Sequence, residues 1–159
     1  MNCFGINNKL FQVVSLFALA ILIYVGFFSV ERLLFEKKQK AIHITTEKVI
    51  EVFQDNGYKI YALQYLDSKS DRGMFQFAKH GARLELSVYN KKYELLIVEA
   101  DSWEMANAYV KVSNDLNDRM KGKLGYSICF GDILIQIFPS DKEFANELYQ
   151  VLNSLESIN

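Results

Sequence analysis

Residues 10–30 form an uncharged run, LFQVVSLFALAILIYVGFFSV, in which only Gln12, Ser15 and Ser29 are clearly polar. A helix of that length, rising ~1.5 Å per residue, extends ~30 Å, the thickness of a bilayer's hydrocarbon core. The pattern therefore predicts a transmembrane helix over 10–30, behind a short tail of residues 1–9. From residue 45 the pattern changes. Thr45 or Thr46 can cap a helix with Val49, Ile50 and Phe53 as its apolar stripe, and Gly57 stands where a left-handed C-terminal cap belongs.

Four strand-like runs follow, at 58–66, 74–79, 83–89 and 93–99. Residues 67–73 (DSKSDRG) form a polar loop, His80-Gly81 suits a tight hairpin, and Asn90-Lys91-Lys92 makes the next turn. Links this short imply antiparallel neighbours. Asp101 with Glu104 resembles a capping box, and Trp103, Ala106, Tyr109, Val110, Leu116 and Met120 give the helix behind it an apolar stripe. Gly122 and Gly125 bracket its exit. Runs 126–130 and 133–138 flank Gly131-Asp132, a two-residue hairpin signal, and Pro139 closes the second. Ser140 with Glu143 opens a last helix whose apolar face is Phe144, Leu148, Val151, Leu152 and Leu155. The expected order after the span is α-ββββ-α-ββ-α: an α+β fold with an antiparallel sheet over residues 45–159, joined to the span by a basic linker at 31–44.

Alternation in 58–66 is not clean. Tyr58, Ile60 and Ala62 oppose Tyr61, Leu63 and Tyr65, so both faces are apolar. Either helices cover both faces or a strand curls over, or else Tyr61, Leu63 and Tyr65 form an exposed face that binds a partner. Tyrosine suits the second role, being amphipathic and losing little side-chain entropy.

Charge adds two constraints. The linker carries Arg32, Lys37, Lys38 and Lys40 against Glu31 and Glu36, and these four cations are candidate contacts for lipid headgroups. Residues 41–159 hold thirteen Lys/Arg and seventeen Asp/Glu, a balance with no footprint for nucleic acid. Bulky Phe27, Phe28 and Val30 occupy places where a signal peptidase needs small residues. No cysteine follows the run, and Met1-Asn2 lacks the glycine of a myristoylation signal. An uncleaved single-pass anchor is expected. The basic linker argues for a cytoplasmic domain, whereas short N-terminal anchors generally export the domain behind them, so the sequence leaves both sides open.

The segments YELLIVEADSWEMANAY (93–109) and SICFGDILIQIFPSDKEFANELYQVLNSL (127–155) resemble small membrane-anchored or lipoprotein domains of Gram-positive bacteria. The resemblance implies an exported α+β domain at a Gram-positive membrane. It carries over no functional residue, and this chain lacks a lipid-acceptor cysteine behind its apolar run.

Chemistry is sparse. His43 and His80 lie in different elements without metal-ligand spacing. His80 reads as a turn residue and His43 as a solvated residue of the linker. Cys3 and Cys129 fall on opposite sides of the expected span, and Cys129 reads as a small buried apolar residue. A Cys129–His80 pair rests on residue identity alone. The carboxylate pairs Glu99/Asp101 and Asp115/Asp118 fit helix caps and solvated faces. GKLG at 122–125 lacks the length and ending of a phosphate loop. No metal or cofactor is expected. The reading is a membrane-anchored module that binds another protein, in an accessory or immunity-type role. The alternatives are a tethered sensor of a small molecule or lipid, and an enzyme of unrecognised type.

Overall fold

The computed structural model describes residues 5–66 and 78–154, apart from the side chains of residues 5–19 and 22. The chain forms two compact units, Met1–Lys38 and Gln39–Asn159. Helix α1 (Gly5–Ala41) runs through the first. From Ile21 to Phe35 its large apolar side chains, Leu22 aside, stand at least half exposed. Ser29 offers no loose hydroxyl on this surface, because its Oγ donates to the Val25 carbonyl at 2.8 Å. Arg32 is bound to Glu36 one turn on, at 3.1 Å. Among the described residues no helix is long and apolar enough to cross a membrane. Of the run predicted to span, the side chains of residues 10–19 and 22 lie outside the described residues.

The second unit contains α2 (Thr46–Asp55), β1 (Lys59–Tyr65), β2 (His80–Val88), β3 (Lys91–Glu99), α3 (Trp103–Arg119), β4 (Tyr126–Phe130), β5 (Ile133–Phe138) and α4 (Lys142–Asn153). The strands make one antiparallel sheet in the order β1-β2-β3-β5-β4. This is the expected α+β class. The strand predicted at 74–79 and the polar loop at 67–73 fall largely or wholly outside the described residues, and Ala78 and Lys79 are not in a strand.

Alternation along the strands sorts side chains to the two faces. Ala82, Leu84, Leu86, Leu95, Ile97, Ile133, Ile135 and Ile137 pack with Val49 and Phe53 of α2 and Phe144 and Leu148 of α4. Val98, Leu134, Leu96 and Cys129 face the other way and meet Ala106, Tyr109 and Val110 of α3. Helices therefore lie on both faces of β3, β5 and β4, which explains their nearly unbroken apolar runs.

Local signals set the helix ends. Thr45 caps α2, its Oγ1 accepting the Lys48 N–H at 3.3 Å. Gly57, at φ +79°, lets Tyr58 N–H reach the Phe53 carbonyl at 3.0 Å and Gly57 N–H the Gln54 carbonyl at 2.9 Å. The other two caps fall one residue later than predicted. Ser102, not Asp101, caps α3 by accepting from Met105 N–H at 3.3 Å, while Asp101 lies 3.7 Å from Lys79. Asp141, not Ser140, caps α4 by accepting from Phe144 N–H at 3.0 Å. Ser140 instead accepts from the Asn117 amide at 2.9 Å. Both members of each pair could cap, and tertiary partners choose between them.

Three further expectations are corrected. His80-Gly81 is no hairpin: both residues lie in β2, opposite Glu99 and Val98. A Cβ on Gly81 would stand 2.9 Å from the Ile97 carbonyl oxygen, so the glycine serves close strand packing. The β2–β3 turn is Tyr89-Asn90, at φ 50° and 64°, and Lys91 and Lys92 already belong to β3. Two residues at positive φ give the hairpin a twist that matches its strands. Finally, Leu116 and Met120 of the predicted α3 stripe are exposed, while Ser113 and Asn117 are buried. Ser113 Oγ shares a hydrogen bond with Ser127 Oγ at 3.0 Å, and Asn117 Oδ1 accepts from Leu124 N–H at 3.0 Å. These bonds turn the polar side of α3 inward.

Candidate binding groove

β1 carries an irregularity that redistributes the predicted tyrosine face. Ile60 pairs with Leu86, but the next paired residue is Ala62, opposite Glu85, so Tyr61 is the extra residue of a bulge. Beyond it the faces are exchanged. Leu63 lies opposite Leu84 and Tyr65 opposite Ala82, on the side of the sheet that carries α2 and α4. Tyr61 instead joins Glu85, Lys92, Glu94, Phe138 and Pro139 around a groove. Tyr61, Leu63 and Tyr65 are all exposed, but they do not form one surface.

The groove has a volume of about 450 Å³. Its floor is a row across the sheet, Ala62–Glu85–Glu94–Phe138, set by the pairing of β1, β2, β3 and β5. The apolar contacts of α3 are with Leu96, Val98, Cys129 and Leu134, away from this row. Tyr61 stands at the rim, 56% exposed, with Lys59 Nζ 5.2 Å from its ring centroid. Glu85 and Glu94 are direct cross-strand neighbours, a like-charge pairing that destabilises a sheet. Arg83 offsets part of it, with Nε 3.1 Å from Glu94 Oε1. The sequence pointed to Tyr61 but missed Glu85, Lys92, Glu94 and Phe138, because they converge only through strand register.

The four linker cations have different surroundings. Arg32 is in its ion pair with Glu36, and Lys37 and Lys38 are exposed. Lys40 Nζ lies 2.9 Å from Glu104 Oε1 and 5.6 Å from the Trp103 ring centroid. The Glu104 carboxyl is held below its ordinary pKa, first by that hydrogen bond from Lys40 and then by its own backbone N–H. The neighbouring linker residues also join the second unit. Gln39 is buried and accepts from Gly131 N–H at 2.9 Å. His43 Nδ1 is 3.0 Å from Asp132 Oδ2. Thr46 N–H donates to Glu99 Oε1 at 2.6 Å.

At the opposite end of the sheet two tyrosines donate to carboxylates. Tyr93 Oη reaches Asp141 at 2.7 Å, and Tyr58 Oη reaches Glu147 at 2.8 Å. Burial, then the carboxylate partner, pushes the Tyr93 phenol up to about 12 and the Tyr58 phenol higher still. The Asp141 carboxyl is held below its ordinary value, first by the Phe144 N–H and then by Tyr93. These contacts fasten α4 to the sheet.

The remaining candidates for chemistry are separated or already engaged. Cys129 and His80 lie on opposite faces of the sheet: Cys129 packs toward α3, whereas His80 has its Nε2 3.2 Å from Glu47 of α2. His80 also stacks on Tyr65, so it is a strand residue with partners and not a turn residue. Burial pushes the Cys129 thiol up to about 11, away from a reactive thiolate. Asp115 is tied to Arg119 at 2.7 Å and Asp118 to Lys142 at 3.2 Å. Among the described residues no three His, Cys, Asp or Glu side chains converge to hold a metal ion.

Compared with family models, curated proteins and solved structures, the chain finds no match.

Proposed function

We propose that this protein is a module tethered to a bilayer by α1, and that residues 39–159 bind another protein through the groove beside Tyr61. The observation that carries the binding half is the groove itself. Among the described residues it is a stretch of sheet that no helix covers, with an exposed aromatic rim, Phe138 and Pro139 alongside, and two opposed carboxylates on its floor. Such a surface fits a segment that presents an apolar side chain together with a lysine or arginine, which would relieve the Glu85–Glu94 opposition. The tether rests on the uncharged run and on the apolar side chains exposed from Ile21 to Phe35. Tethering raises effective concentration near membrane targets, so modest affinity suffices.

The test is recovery of partners from detergent-solubilised membranes by the full chain and by two variants. Tyr61→Ala should lose a partner that the native chain and Tyr65→Ala both retain, since Tyr65 lies on the other face. Identical recovery by all three would contradict the groove. A reporter fused after Asn159 reads the side of the bilayer.

One observation favours a second reading. The groove's volume falls within the range of small-molecule sites, ~300–1,000 Å³, so a tethered sensor is the alternative. A ligand that raises the unfolding temperature of the native chain but not of Tyr61→Ala would favour it. Catalysis forms no part of the proposal.

A further inference from the structure

Two of the charges lining the Tyr61 groove are unanswered among the described residues. Glu94 is bound to Arg83, at 3.1 Å, but neither Glu85 nor Lys92 has an ion-pair partner there. Both side chains are exposed. They are of opposite sign and are diagonal neighbours, since Lys92 pairs with Ser87, two residues from Glu85 on β2. Diagonal neighbours on one face of a sheet stand ~7–8 Å apart at the backbone, within reach of long side chains. These two nevertheless make no bond to each other.

With Tyr61 they make a line across the sheet. Tyr61 on β1 bulges beside Ala62, which is opposite Glu85 on β2, and Lys92 follows on β3. A partner crossing these three strands meets an aromatic ring, then an anion, then a cation. Alternate side chains of an extended chain project from one face ~7 Å apart, close to the step from Glu85 to Lys92. We infer that the occupant of the groove is an extended segment of a partner protein with an apolar, a basic and an acidic side chain at alternate positions. The basic side chain meets Glu85 and the acidic one meets Lys92. This inference rests on the groove reading above and adds the acidic residue to it. Charge complementarity in both signs selects such a segment: a purely basic one sets like charge against Lys92, and a purely acidic one sets like charge against Glu85.

Net charge gives a different preference. Residues 41–159 carry seventeen Asp/Glu against thirteen Lys/Arg, so long-range attraction favours a segment with two lysines. A preference for the mixed segment over the doubly basic one therefore reports the local pair and not the net charge.

NMR titration of the full chain in detergent micelles tests it, read at the backbone amides of Ser87, Lys92 and Glu94. The probes are three peptides, acetylated and amidated so that their ends carry no charge: Phe-Ala-Lys-Ala-Glu, Phe-Ala-Lys-Ala-Lys and Phe-Ala-Glu-Ala-Glu. The first should bind at least about threefold more tightly than either of the others. Lys92→Glu, a change at an exposed side chain, should pass the preference to the doubly basic peptide. No shift with the first peptide, a doubly basic peptide that binds as tightly, or a preference that Lys92→Glu leaves intact would each overturn the inference. Free phenylalanine shifting the same amides as strongly would overturn it in favour of a small-molecule site. Equal binding of all three peptides, lost in Tyr61→Ala, would overturn the charge pair while leaving the groove standing.

Discussion

The Gln39 side-chain carbonyl accepts the Gly131 N–H at 2.9 Å, and both residues are buried. The bond joins the last turn of α1 to the tip of the β4–β5 hairpin, within the second unit. Gly131 sits at φ +57°, and a Cβ there would lie 2.5 Å from the Ile42 carbonyl oxygen, so position 131 can take no side chain. Gln39→Ala leaves a buried N–H without its partner and should cost about 1–3 kcal/mol. Thermal unfolding of the full chain in detergent measures it, and a change below about 0.5 kcal/mol would show the bond to be dispensable.

Asn114 closes an edge of the sheet. Its amide donates to the Ser127 carbonyl and its Oδ1 accepts the Ser127 N–H, both at 2.8 Å, in the way a further strand would. Asn114→Ala should destabilise the protein by about 1–3 kcal/mol and speed amide exchange at Ser127 more than at Ile135, which β5 keeps in the sheet centre. Uniform exchange changes along β4 and β5 would contradict this role.

Asp141 makes stability depend on pH in one direction. Its folded pKa lies below the ordinary carboxylate value, so the carboxylate contributes stability above about pH 4–5 and loses it as pH falls through the folded pKa. Asn caps helices about as well as Asp but carries no charge. Asp141→Asn should therefore unfold at lower temperature than the native chain near pH 7, with the gap shrinking toward pH 3. A gap that widens on acidification would have the wrong sign.

Tyr89 occupies the first position of its hairpin turn at φ 50° while 85% exposed. A bulky residue is strained there and glycine is not. Tyr89→Gly should leave stability unchanged or raise it by up to about 1 kcal/mol in urea unfolding. A loss above about 1 kcal/mol would mean that the exposed ring stabilises the fold.

Much of the architecture was legible where one physical signal acts alone. Gly57 ends α2 and Gly131-Asp132 turns a hairpin because positive φ is a local demand. Where two residues could meet the same demand, sequence was insufficient. Ser102 over Asp101 and Asp141 over Ser140 are decided by Lys79, Tyr93 and Asn117, which are distant in the chain. The β2–β3 turn was misplaced because tyrosine is an unusual residue for positive φ. The candidate site was half legible. Tyr61 stood out by type, but alternation cannot reveal a bulge, and the bulge sends Leu63 and Tyr65 to the other face. Glu85 and Glu94 become neighbours only through the β2–β3 register.

The tether is the claim on which the rest of the functional reading turns, and vesicle flotation under alkaline carbonate tests it most directly. The full chain should float with the lipid and stay there. A variant with charged residues placed through 16–27 should remain at the bottom of the gradient with its domain folded. Release of the native chain by carbonate would contradict an α1 held within the bilayer.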